Sequence, residues 1–172
     1  MALVPVAASA EKADRDKPTH IEADSLVHDE LNQVSVFTGR AVLRRGTLVM
    51  RGGRIEIRED ADGYQFGVIL PEPKQRAFFR QKREGVDEFM EGEALRIEFD
   101  GKTDRIKLMD QAEVRRYRGA VLGDQMTGKL IIYDNLADVF TIDGQRAREN
   151  DKPGSGRVRA VLVPRSKTGD KP

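Results

Sequence analysis

Between Gly92 and Val114 the chain reads GEALRIEFDGKTDRIKLMDQAEV, and apolar and charged residues alternate there on both sides of a turn. Leu95, Ile97 and Phe99 are separated by Arg96 and Glu98; beyond Asp100-Gly101, Ile106 and Leu108 are separated by Arg105 and Lys107. A period of two sends successive side chains to opposite faces of a sheet, so this stretch predicts two antiparallel strands with one apolar and one charged face. No helical period competes with it.

The same pattern recurs along the chain. A first strand is expected around Thr19, His20 and Ile21, followed by a step at Asp24-Ser25-Leu26, then VSVFTGRAVL over Val34–Leu43, Thr47–Arg51 and Arg54–Arg58. Turns recur at intervals of about ten residues, the spacing of sandwiches, barrels and rolls. Further strands are expected over Tyr64–Leu70, Ala77–Arg80, Gly119–Met126, Lys129–Tyr133 and Ala137–Ile142, with a last one over Val158–Val163 that stops at Pro164. Leu26, Ile55, Leu95 and Leu130 each follow a turn, in steps of 29, 40 and 35 residues, which suggests stacked units that bury their faces only against neighbours. The expected fold is all-β: a sandwich, barrel or roll of short antiparallel strands with an apolar interior and a charged outside. Taking one parity as inward gives the set Ile21, Leu48, Met50, Ile55, Ile57, Phe66, Val68, Phe78, Leu95, Ile97, Phe99, Ile106, Leu108, Leu130 and Ile132, with Phe79 the alternative to Phe78 on its strand. Around Phe37–Leu43 apolar residues occupy both parities, and the inward face stays open.

At 172 residues the chain makes one domain large enough to bury a core without cross-links, and it has no Cys to form any. Thirty basic against 29 acidic residues leave a net charge of +1, so the charge forms a mixed solvated surface and no nucleic-acid partner is expected. Residues 1–10 (MALVPVAASA) end in the Ala8-Ser9-Ala10 pattern of a signal-peptidase site and read as the tail of a secretory signal, with cleavage after Ala10 and export. Residues 11–18 read as a flexible linker, 19–164 as the single domain, and 165–172 as a disordered tail.

No stretch of the sequence carries a complete catalytic or ligand-binding motif. Gly123–Lys129 approaches a phosphate-binding loop, but Leu130 stands where a Ser or Thr belongs and the segment has a strand's pattern. Asp60 and Asp62 before Gly63 read as a turn and not a calcium loop, and His20 and His28, among Glu22, Asp24 and Asp29, lack a second close His and read as two exposed histidines near an edge. No nucleophile elbow or distinctive carboxylate pair occurs, so neither enzyme activity, cofactor nor metal is expected. The basic clusters Arg40, Arg44 and Arg45, then Arg51, Arg54 and Arg58, then Arg115, Arg116 and Arg118, have two readings: a solvated outer face, or a rim that meets phosphorylated sugars.

In their order and spacing, THIEADSL, VSVFTGRAVL, the GRIEI run, the long loop before AFFR, MEGEALRIEF and RVRAVLVP resemble the LptA/OstA-like family of periplasmic lipopolysaccharide-transport bridge proteins, over roughly residues 18–164. The resemblance implies an open, twisted β-jellyroll (β-roll) of about 15 to 16 short antiparallel strands that shields the acyl chains of lipopolysaccharide, with the inward set above as its lipid-binding lining. It also implies head-to-tail self-association, and joining to an inner-membrane-anchored jellyroll of the export transporter and to the N-terminal jellyroll of the outer-membrane translocon. Edges at Thr19, His20 and Ile21 and at Val158, Ala160, Val161 and Leu162 would make those joints. Five residues of strand span about 16 Å, comparable to an acyl chain. Two other readings remain at this point: a structural β-roll filament without a lipid, and a sugar-active enzyme.

Overall fold

The computed structural model describes residues 14–83, 87–144 and 156–164. It contains twelve strands: β1 (His20–Glu22), β2 (Ser25–Asp29), β3 (Val34–Arg45), β4 (Leu48–Glu59), β5 (Gln65–Leu70), β6 (Ala77–Lys82), β7 (Glu88–Ala94), β8 (Arg96–Asp100), β9 (Arg105–Arg118), β10 (Val121–Asp134), β11 (Val139–Asp143) and β12 (Arg159–Val161). All pairings are antiparallel.

Four strands, β3, β4, β9 and β10, are long and bend halfway, so each belongs to two layers. One layer runs β2, the first half of β3, the second half of β4, β5, β8, the first half of β9, the second half of β10, and β11. The other runs β1, the second half of β3, the first half of β4, β6, β7, the second half of β9, the first half of β10, and β12. Counted by layer, the twelve strands make sixteen segments, so the predicted short strands are there but fused in pairs.

The bends have a repeated cause. In β3, Gly39 and Arg40 take φ of 85° and 45°, and in β9, Asp110 and Gln111 take 61° and 50°. Each pair makes a bulge where the register against the next strand shifts. The bulge carbonyl is used both times: Gly39 accepts from the N–H of Asp24 and Asp110 from that of Leu95, each at 2.9 Å, where the neighbouring strand breaks between layers. The arrangement recurs with Leu95 in the place of Asp24, not of Leu26, so the repeat read from the sequence lies two residues out of step with the structural one. At Gly52, where β4 passes from β6 to β5, a Cβ would stand 2.3 Å from the Leu70 carbonyl oxygen, so only glycine lets the chains cross.

Between the layers the side chains interlock. One row crosses the first layer through Leu26, Phe37, Ile55, Ile69, Ile97, Leu108, Ile131 and Ile142, one residue from each segment. Its facing row crosses the second through Ile21, Leu43, Met50, Phe79, Gly92, Val114, Met126 and Ala160. Ile55, Ile69, Phe79, Ile97, Leu108, Val114 and Ile131 are all 0% exposed; burial of each contributes about 1.5–3 kcal/mol. Among the described residues the interior is filled: a cavity of about 10 Å³ lies near Thr19, Leu48, Ile69 and Phe99, room for no more than a water.

The segment expected as a linker departs from that reading at Asp14–Pro18. Asp14 is buried, accepting from the Thr47 amide at 3.1 Å and from its hydroxyl at 2.5 Å. Two donors on Thr47 at the β3–β4 turn thus give a charged segment a reason to order. Residues 1–13, including the proposed cleavage site, and the tail 165–172 lie outside the described residues.

Candidate functional site

The two apolar rows run the whole length of the roll and do not end inside it. At one end they stop at Ile21 on β1 and Leu26 on β2; at the other, at Ile142 on β11 and Ala160 on β12. These four segments are the sheet's edges. All of β2 and all of β12 is exposed, with Leu26 56% accessible, and Val158, Val161, Leu162 and Val163 form a second uncovered apolar strip. An edge strand presents unpaired backbone groups, and here an apolar row arrives at each edge beside them. Thr19 and His20 lie at the start of the first edge, and Val158 and Leu162 flank β12 without belonging to it.

Of the expected lining, the structure turns Ile21, Leu48, Met50, Ile55, Ile57, Ile97, Phe99, Ile106 and Leu108 inward. Phe66, Val68, Phe78, Leu130 and Ile132 point outward, a correction of one residue in parity on three strands. Val68 sits opposite Glu56 and Glu98, Phe78 opposite Arg51 and Glu93, and Ile132 opposite Lys107 and Thr141, all on the charged face. Leu130 lies between Met109 and Asp143 on that same face. Leu95 is not in a strand at all but at the bend between β7 and β8, 39% exposed. The residues that take the inner places are Ile69, Phe79, Ile131 and Tyr133. On β5 the signal that could have shown this is Gly67: a Cβ there would meet Ile57 Cδ1 at 3.2 Å, so the glycine is the residue facing the crowded interior.

Outward aromatics are not left bare. Guanidinium groups lie over them, Arg51 over Phe78 at 4.2 Å, Arg58 over Phe66 at 5.3 Å and Arg80 over Phe89 at 4.1 Å. This gives part of the basic clusters a structural role. Another part is neutralised in a ladder at the bend: Arg76 donates to the Gln111 carbonyl at 2.8 Å, to Glu93 at 2.9 Å and to Glu113 at 2.8 Å, while Arg115 reaches Glu93 at 2.9 Å. Burial pushes the Glu113 carboxyl up, but hydrogen bonds from Arg76 and Gln125 outweigh it and hold the group below its ordinary value. His28 bonds Ser35 and Glu30, and no cluster of His, Asp and Glu among the described residues is fit to hold a metal ion. Gly123–Lys129 lies within β10, where no helix N-terminus exists to cradle a phosphate.

This architecture matches known proteins. The profile of the LptA/(LptD N-terminal domain) LPS transport protein family fits residues 20–139. The chain belongs to that family. It is 25% identical over 155 residues to the lipopolysaccharide export system protein LptH of Pseudomonas aeruginosa, covering 90% of this chain and 84% of that one. It is 25% identical over 159 residues to LptA of Escherichia coli K12, covering 92% and 78%. The crystal structure of LptH, described as the LptA homologous periplasmic component of the lipopolysaccharide transport device of Pseudomonas aeruginosa, superposes with a TM-score of 0.73 at 23% identity, over 88% of this chain and 99% of that one. For an LptA-family roll the parity correction matters, because it decides which side chains line the space between the layers.

Proposed function

We propose that this LptA-family chain is a periplasmic lipopolysaccharide carrier that shields acyl chains between its two layers and hands them along a bridge of rolls joined edge to edge. The observation that supports this reading best is the continuity of the two apolar rows from one exposed edge to the other. A neighbouring roll added at β1 and β2, or at β11 and β12, extends both rows without a polar break, with backbone hydrogen bonds supplying affinity and alternate side chains specificity. The joint is heterologous, since a β1–β2 edge meets a β11–β12 edge, so it does not close on itself and permits self-association as well as joints to other rolls. The partners we assign are an inner-membrane-anchored jellyroll at one end and the N-terminal jellyroll of an outer-membrane translocon at the other. A non-enzymatic transport role accords with the relatives, whose names are those of lipopolysaccharide export proteins; none supports a filament without a ligand.

The filled interior adds one requirement. Acyl chains enter only if the layers separate, replacing side-chain contacts by lipid contacts of the same apolar character. Photo-crosslinking side chains placed at Ile69 and Ile97 are expected to capture lipopolysaccharide, and those at Val68 and Glu98 are not. Equal capture from both parities refutes the reading.

A further inference from the structure

The two layers meet along the bends on one side and open along their free ends on the other, where the β3–β4, β8–β9 and β10–β11 turns come together. Across that open side lies the segment Asp14–Thr19. Its Asp14 carboxylate grips Thr47 in the β3–β4 turn of one layer. Arg15 pairs with Asp104 in the β8–β9 turn of the other layer at 3.5 Å, and the Thr19 hydroxyl donates to Gln65 Oε1 at the start of β5 at 3.3 Å. Every anchor is polar and lies at the end of a layer, none in the core. Next along the mouth, Arg83 beyond β6 pairs with Asp138 in the β10–β11 turn, again tying one layer to the other.

Arg45 lines the same small cavity as Thr19 of the segment. Its guanidinium lies over the Phe99 ring at 4.6 Å, its Nε is inaccessible and has no hydrogen-bond partner, and among the described residues it makes no ion pair. Burial pushes the group below its ordinary value, partly offset by the charges of Asp104 and Asp14. A half-buried arginine stacked on a ring at the rim of an apolar interior, its Nε inaccessible and without a partner and no ion pair to it among the described residues, is a poor structural choice by itself. It is a good receptor for an anion arriving with an apolar tail.

We propose that residues 14–19 form a lid over a lateral entrance between the layers, and that Arg45 is the anion receptor inside it, taking a phosphate of an acylated, phosphorylated lipid while its chains pass between the layers. The lid holds by polar contacts at the ends of the layers, which a ligand displaces without breaking a strand pairing. Its carboxylate and Asp104 supply negative charge near Arg45 in the closed state, and the ligand's phosphate replaces them in the open one. This rests on the carrier reading above, and names the route and selectivity of the same interior.

The chain has no cysteine, so a single engineered pair can lock the lid. A Cβ built on Gly46 stands 3.2 Å from the Asp14 Cβ, within a few tenths of an ångström of disulfide spacing, about 3.5–4.5 Å. In Asp14→Cys/Gly46→Cys carrying a photo-crosslinker in place of Ile97, lipopolysaccharide capture is expected to be at least ~10-fold slower oxidised than reduced, with the reduced form at least as fast as the chain without the pair. Equal rates in the two redox states overturn the lid while leaving the carrier reading intact; no capture in any form overturns both. Gly46 has a φ of 56°, so a side chain there strains the turn. Should that pair not fold, Asp14→Ala/Arg15→Ala cuts two anchors and leaves the turn alone: faster capture supports the lid, and an unchanged rate overturns it. For the receptor, phosphorylated lipid A is expected to be captured ~10-fold better than its dephosphorylated form, and Arg45→Gln should erase the preference. No preference in the unsubstituted protein refutes Arg45 as receptor.

Discussion

Phe79 and Gly92 face each other in the centre of the second layer's row, and their contact can be tested by a double-mutant cycle. Phe79 is 0% exposed, and a Cβ built on Gly92 would stand 2.2 Å from Phe79 Cε1 and 2.7 Å from Leu108 Cδ2. Ordinary contact begins near 3.4 Å, so Gly92→Ala must drive the ring back by more than about 1 Å, into a neighbourhood already filled, at a cost of about 1–3 kcal/mol. Replacing a strand-interior glycine with alanine returns about 0.5–1 kcal/mol of chain entropy, so the net loss is at most about 2.5 kcal/mol. Phe79→Leu removes the ring atoms that collide, and the Leu108 methyl, at the end of a flexible side chain, can turn aside. In the Phe79→Leu background Gly92→Ala should therefore be neutral or stabilising, a coupling of about 1–3 kcal/mol. Urea unfolding followed by far-ultraviolet circular dichroism measures all four corners. Additivity within about 0.5 kcal/mol would show that ring and glycine do not compete for one space, and the packing argument for the second layer would fall with it.

The edge strands and the charge ladder give two further tests. Val161→Pro removes a backbone donor from the three-residue β12, which is exposed along its length, and should leave the monomer folded while lowering the assembled mass seen by light scattering at high concentration; unchanged assembly excludes this edge from the joint. Glu113 is held below its ordinary pKa, so its contribution to stability is present above the unfolded carboxylate value of about 4.3 and is lost as pH falls through the lower folded value. Glu113→Gln should flatten the decline of the urea midpoint below about pH 4.3, and an unaltered slope would mean that the Arg76 ladder contributes nothing to acid lability.

Strand content and antiparallel pairing were legible in the sequence because period two over β7 to β9 admits no other regular structure, and because a charged residue at every second place names the outer face. That is why Ile55, Ile57, Ile97, Phe99, Ile106 and Leu108 are assigned correctly from alternation alone. Where apolar residues occupy both parities, as in YQFGVIL, AFFR and LIIYD, alternation carries no sign, and the inward choice of Ile69, Phe79 and Ile131 over Val68, Phe78 and Leu130 is made by their partners. Ile55 and Ile97 on either side of Ile69 fix its face through pairing between distant strands, and a slip of one residue would reverse it. The bends are tertiary too: Arg40, Asp110 and Gln111 accept left-handed backbone only because two layers must share one strand. So is the order in Asp14–Thr19, where a charged segment with nothing apolar to bury is held by turns that only the folded roll brings within its reach.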